Sequence, residues 1–241
     1  VDTVIATASG ALGAAIGVVT NVITTDHSTG VVVTGTSTDK SSLTGTSVSV
    51  DADAKEGISS LLIAASGAQY AAVSASVNVN RQLSDVSAAV DQTEVLGSFA
   101  QNANYLGRIT TSAITAAGSQ YAAVPISVVI NYADNAVSSS VAHSILRAEG
   151  QSASVGANRI SEFSSLNVTA SGAMYGAAAG LVNVNTIEGA TSAEVNDSEV
   201  KAGQFSVNAE NEDHLKVTDV TATGAIGSLG ASVVVSYFKG S

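Results

Sequence analysis

GAMYGAAAGLVNVN, residues 172–185, supports two opposed readings. Gly172, Gly176 and Gly180 lie four apart among alanines, the spacing of a closely packed membrane helix. Val182, Asn183, Val184 and Asn185 alternate, which is the period of a strand. The rest of the chain decides between them, because the segment recurs.

The phrase Ala-Ser/Thr-Gly-Ala occurs around Gly10, Gly67, Gly172 and Gly224, with a degenerate copy at Ala117-Gly118-Ser119. The glycines are 57, 51, 54 and 52 residues apart. Aligned on them, apolar residues recur at every second offset. Four residues before stand Ala6, Ile63, Ile114, Val168 and Val220, and two before stands alanine in every copy. Ten after come Thr20, Val77, Val128, Val182 and Val234, and twelve after come Val22, Val79, Ile130, Val184 and Ser236. Val33, Val90, Val141 and Val195 align at twenty-three. A two-residue period predicts extended chain with one buried face, Val inward and Asn on the other side. Val18 and Ile126 stand where the third glycine of the helix pattern would be, so that pattern belongs to one copy only. Uncharged runs such as 109–133 are long enough to span a bilayer, but they carry Ser, Thr, Asn and Gln throughout and lack basic flanks. No membrane span is expected.

Composition agrees with stacked strands. Charged residues are 12% of the 241 and aromatics 4%, while small residues and Val dominate. A core must then be built from small side chains at close spacing. Val, Thr and Ser disfavour a helical solenoid. A net charge of −11 with scattered cations excludes nucleic acid and anionic membrane as expected partners. There is no Cys, which removes disulfides, thiolate metal sites and Cys nucleophiles. Pro125, inside an apolar run, predicts a bulge or an unpaired backbone position.

Repeats that cannot bury a face alone must stack, so the expected fold is all-β, a parallel β-helix or β-solenoid built from repeats of about 52 residues. Residues 1–241 form one such unit of about four and a half repeats. Each repeat is one wide coil or two coils of about 26, and the second is favoured as closer to the usual coil size. Stacking predicts ladders of Asn80, Asn131 and Asn185, of Asn21, Asn78 and Asn183, and of Tyr70, Tyr121 and Tyr175. The pattern runs to both ends without a polar cap, and the chain opens at Val1 inside it, so it is read as a piece of a longer array.

The Ala-Ser-Gly-Ala and Val-Asn-Val-Asn elements, followed by TSAEVNDSEVKAGQFSVNAE at 191–210, resemble the β-helical repeats of large secreted bacterial adhesins of the filamentous-haemagglutinin-like and leukotoxin-like kind. The resemblance covers nearly the whole chain. It implies a right-handed parallel β-helix in a long extracellular or cell-surface stalk, exported through an outer-membrane β-barrel, with a host-cell or extracellular-matrix receptor as partner. The segment TGTSTDKSSLTGTS, residues 34–47, departs from the pattern.

Candidate chemistry is sparse. His27, His143 and His214 have no metal-ligand spacing, and Asp26-His27 and Asp213-His214 would point to opposite faces of a strand. Glu210, Glu212 and Asp213 invite a calcium reading, but a solvated turn is preferred. Asp51 and Asp53 share a face without nearby aromatics for sugar stacking. The Thr run at 34–38 occurs once, and Gly224, Gly227 and Gly230 do not make a dinucleotide fingerprint. No catalytic, cofactor-binding or metal residue is assigned. The expected function is a non-catalytic stalk or adhesion segment. A toxin or receptor-binding segment centred on residues 26–47 and a fibre subunit associating end to end are the alternatives.

Overall fold

A computed structural model describes residues 1–240. It contains ten strands and no helix among the described residues: β1 (Asp2–Ala11), β2 (Ala14–Thr34), β3 (Ser41–Ala68), β4 (Ala71–Asp91), β5 (Thr93–Ser119), β6 (Ala122–Ala142), β7 (Ile145–Gly172), β8 (Gly176–Asn196), β9 (Glu199–Gly224) and β10 (Gly227–Gly240). The odd strands form one five-stranded parallel sheet and the even strands another, both in chain order. The chain therefore runs along one sheet, turns, and returns along the other before starting the next rung.

The paired register reproduces the sequence alignment: Gly10, Gly67, Gly118, Gly172 and Gly224 are stacked neighbours. The favoured division into two coils of about 26 is wrong. Residues 51 to 57 apart sit on adjacent rungs, so each repeat is one wide coil of two long strands. Strands of 21 to 28 residues are possible because β4 to β7 are each paired on both sides over nearly their whole length. A second correction concerns the last rung. The turn from Gly224 to Gly227 is one residue shorter than that from Gly172 to Gly176, so Val233 pairs with Val182 and Ser236 with Asn185. Val234 and Ser236 thus lie one place off the columns expected of them.

The buried face is the opposite of the expected one near the glycine turn. Asn78, Asn80, Asn131, Asn183 and Asn185 are buried, while Ile114, Ile126, Val182 and Val220 are exposed on the outside. The two sheets lie close there: Ser66 and Ser74 hydroxyls share a hydrogen bond of 2.8 Å, and Ser76 and Thr115 one of 2.7 Å. Inner columns of that region mix polar and apolar residues, with Val19, Leu62, Val129 and Leu181 buried beside the hydroxyls and amides. Cross-sheet and rung-to-rung hydrogen bonds pair most of the amides.

Moving away from the turn, the core changes character in layers. Ala72, Ala117 and Ala123 pack just behind it. The Asn, Ser and Thr network follows, and then a layer of Ile58, Ile109, Phe163, Ile23, Ala133 and Ile187. Beyond a second polar layer around Arg159, an aliphatic core of Val50, Val90, Val95, Phe99, Val141 and Leu146 fills the far end. At that end the outside is charged, as the one-sided pattern expects. The cross-section is thus inverted along its length, with polar contents and an apolar exterior at the glycine turn and the reverse at the far corner.

Pro125 behaves as expected of an unpaired position: pairing of β6 to β8 lapses between Ala123 and Ile126 without a change of register. The departure at 34–47 resolves into two parts. Residues 35–40 form a looped corner where other rungs need one or two residues, closed by Thr36 N–H donating to Asp39 O at 2.8 Å. The second part is a bulge between Thr44 and Ser47, and bulges recur on the same sheet between Leu96 and Phe99 and between Ala148 and Ser152. That irregularity is a shared column of the solenoid.

Candidate functional site

The buried amides form two hydrogen-bonded groups, one around Asn21 and Asn78 and one running from Asn80 to Asn185. Asn80 Nδ2 donates to Asn131 Oδ1 at 2.9 Å, and Asn131 Nδ2 donates to Asn185 Oδ1 at 2.9 Å. Asn21 Nδ2 donates to Asn78 Oδ1 at 3.1 Å. Hydroxyls of the opposite sheet accept further bonds: Asn78 donates to Ser60, Asn80 to Thr111, and Asn183 to Ser165. The predicted ladder of Asn80, Asn131 and Asn185 exists; that of Asn21, Asn78 and Asn183 is broken, because Val129 stands between Asn78 and Asn183, and Asn183 bonds instead to Ser165 and Asp219 of the facing sheet. The Tyr ladder exists as well. Rings of Tyr70, Tyr121 and Tyr175 stack at 5.5 and 5.4 Å on the outside of the glycine turn.

The second polar layer was not visible in the sequence. Arg159 is fully buried, with Nη2 donating to Asp213 Oδ2 at 3.1 Å and Nη1 to Glu188 O at 3.0 Å. Two glycines make room for it and its neighbour. A Cβ at Gly189 would press on Arg159 Nη1 and on the Asn135 carbonyl, and one at Gly107 would press on the Tyr105 ring and Gln82. Gln82, Asn135 and Tyr105 lie in the same layer, and Ser84 Oγ donates to Glu56 Oε2 at 2.7 Å. Burial pushes the Tyr105 phenol well above its usual range, with Glu56 adding to the effect and Ser84 and Arg159 opposing it. Arg159 shares the parity of inward residues Val155, Ala157 and Phe163, which is the signal that would have placed it inside.

The histidines and acids singled out from sequence are not brought together. Asp213 turns inward to Arg159, while His214 faces out and pairs with Glu212 at 2.8 Å. Glu210 accepts instead from Asn208 at 2.9 Å, so the three acids of that segment have three separate partners. Asp51 and Asp53 stand on the outer face, where Asn102 and Asn104 of the next rung donate to them at 2.8 and 2.7 Å. His143 occupies the far corner in a left-handed conformation, φ 49°, as do Gln92 and Asp197 in the neighbouring rungs. Its Nδ1 lies 3.0 Å from Asp91 and its Nε2 3.8 Å from Asp197, and its carbonyl accepts from Lys40 at 2.8 Å. His27 and Asp26 are both exposed near the first rung. Gly224 and Gly227 flank the last turn and Gly230 lies within β10.

Recesses are open grooves along rungs. One on the outer face of the odd sheet is flanked by Arg108, Glu162, His214 and Lys216, and Arg108 Nε already donates to Glu162 at 2.7 Å. Among the described residues no group of three His, Asp or Glu side chains is placed to hold a metal ion. No helix is long and apolar enough to cross a membrane. The arrangement consists of contacts that link one rung to the next: amide to amide, Asn to Asp, Arg to Glu, and Arg81 over the Tyr132 ring at 5.5 Å. No protein-family model matches the chain, and no curated protein or solved structure matches it.

Proposed function

We propose that this solenoid is a mechanical spacer, a stalk or adhesion segment of a long extracellular or cell-surface adhesin, without catalytic chemistry of its own. One observation carries the reading: side-chain contacts link successive rungs along the solenoid axis both inside, as Asn80 to Asn131 to Asn185, and outside, as Asn102 to Asp51 and Arg108 to Glu162. Such ladders add coil to coil, and a stack of nearest-neighbour interfaces makes a stiff rod whose length grows with repeat number. Export through an outer-membrane barrel and a host-cell or matrix receptor belong to this proposal through the resemblance to filamentous adhesins.

Pulling the chain from its two ends tests the mechanical part. A stack of equal coils should unravel in steps that each release roughly 52 residues, about 180 Å of chain at full extension. Smooth extension without steps would reject a spacer built of independent rungs. The receptor-binding alternative keeps one specific support, the corner loop at residues 35–40, where the chain leaves the stack. Replacing that loop with a single Gln, as at Gln92, should abolish cell binding if the loop is the recognition site. Unchanged binding would discard that alternative.

A further inference from the structure

The even sheet carries an apolar plateau on its outside next to the glycine turn. Its outward positions lie within 14–22, 71–79, 122–130, 176–184 and 227–235, five on each strand, and only Thr20 among them is polar. Their register aligns them in flat columns, such as Thr20, Val77, Val128, Val182 and Val233. Five strands at about 4.8 Å and nine residues at about 3.3 Å make a surface of about 24 by 30 Å, or about 700 Å². A continuous apolar patch of that size exceeds what monomers usually show to water. The odd sheet does not match it. Its two outer columns beside the turn are Gly and Ala, offering little side-chain area; one apolar column of Ala6, Ile63, Ile114, Val168 and Val220 follows, Ser112 and Thr218 interrupt the next, and the one beyond is polar from Asp2 to Lys216.

We infer that this plateau packs face to face on the plateau of a second copy of the chain. Two arguments choose that occupant. Pairing two such faces buries about 1,400 Å² in total, within the range of stable specific interfaces. Charge then fixes the orientation. Beyond a bordering column of Thr24, Arg81, Tyr132, Thr186 and Tyr237, the next outward column carries Asp26, Asp134 and Glu188 with Lys239 at its end, whereas the turn at the near side carries Tyr70, Tyr121 and Tyr175 and no charge. Strands running the same way in both copies would set these net-acidic columns against each other, with Asp134 facing its own copy. A two-fold parallel to the solenoid axis reverses the strands and lays each acidic column over the uncharged tyrosine turn. The pair is then isologous, closed, and leaves both ends of each stack free. A lipid surface is the weaker occupant, because the chain carries −11 and has no basic residues beside the plateau apart from Arg81 and Lys239.

Sedimentation of the 241-residue chain, with Val128→Lys and Ser138→Lys variants and circular dichroism as the check on folding, tests this. Both sites face outward on β6, but only Val128 lies in the plateau. The expected result is a dimer that Val128→Lys weakens on the order of 100-fold or more, by placing an unpaired charge in a dry interface, and that Ser138→Lys leaves intact. A chain that stays monomeric at about 100 µM, where interfaces of this size associate, would overturn the inference. So would association that survives Val128→Lys with the fold intact, which is end-to-end stacking. Binding of the monomer to phosphatidylcholine vesicles, lost in Val128→Lys, would replace it with a lipid contact.

Discussion

Asn131 shows how much one residue depends on the direction its strand faces. It donates to Asn185, accepts from Asn80 and accepts from Thr111 of the opposite sheet at 2.8 Å. Removing it strands three buried partners, so Asn131→Ala should cost about 2–3 kcal/mol in denaturant unfolding. Val79→Thr, on the outside and one parity away, should cost about 0.5 kcal/mol or less when measured in dilute solution. The reverse ranking would mean that the valines are the buried face. The parity itself could not be read from the sequence. Residues 61–66, LLIAAS, are apolar or small on both parities, so the alternation of Val and Asn was the only guide, and transfer preferences put Val inside. What overrode them was amide and hydroxyl pairing across the two sheets and between rungs, which is a property of several strands at once. Tyr105 gives a second test at this scale. Its phenol is held neutral in the fold, so the stability this provides is complete below about pH 10, the unfolded phenol value, and is lost as pH rises beyond it. Unfolding free energy should fall on the alkaline side, and Tyr105→Phe should flatten that fall.

At the scale of an element, the bulge column decides which glycines are fixed. Gly97 lies in it at φ 120°, and a Cβ there would collide with the Gly45 carbonyl of the rung below. Gly97→Ala should therefore cost about 2–4 kcal/mol through strain and a lost rung contact. Gly57→Ala is the control, since a Cβ there meets nothing within 4 Å and the backbone is ordinary. It should be neutral or slightly stabilising by thermal unfolding. Strand identity and the rung-to-rung register were legible, because both follow from a period of two repeated in aligned copies. The bulges were not, since Thr44, Leu96 and Ala148 share no residue type and the bulge is set by cross-rung backbone fit. The corner loop at 35–40 was visible only as extra length. Arg159 was missed for a related reason: its parity was readable, but nothing local to it marks Gly189 as the space it needs.

For the whole molecule, the stack makes coils interchangeable. Ser144 occupies the place of Thr93 one rung later, so deleting residues 93–143 joins Gln92 to Ser144 with every column preserved. That variant should fold with the same fraction of strand and lower stability, as a sum of nearest-neighbour terms requires. Aggregation or loss of strand signal in it would show that particular coils carry the fold. The wide coil itself was beyond the sequence. A repeat of about 52 residues has the same self-similarity whether it closes once or twice, and what distinguishes them is whether the chain turns at the far corner, where the signal is only Gln92, His143 or Asp197 taking a left-handed conformation.

The stacked tyrosines at the glycine turn make the molecule report on its own integrity. The chain has no Trp and six Tyr, so three of its six tyrosines stand in one file with ring centroids 5.4 to 5.5 Å apart. Transition dipoles in such a file couple, and the coupling exists only while Tyr121 has both neighbours in register. A rung that slips by one place, as the last does after its shortened turn, carries Ile226 and contributes no ring. Near-ultraviolet circular dichroism can thus count aligned coils without a label attached to the protein.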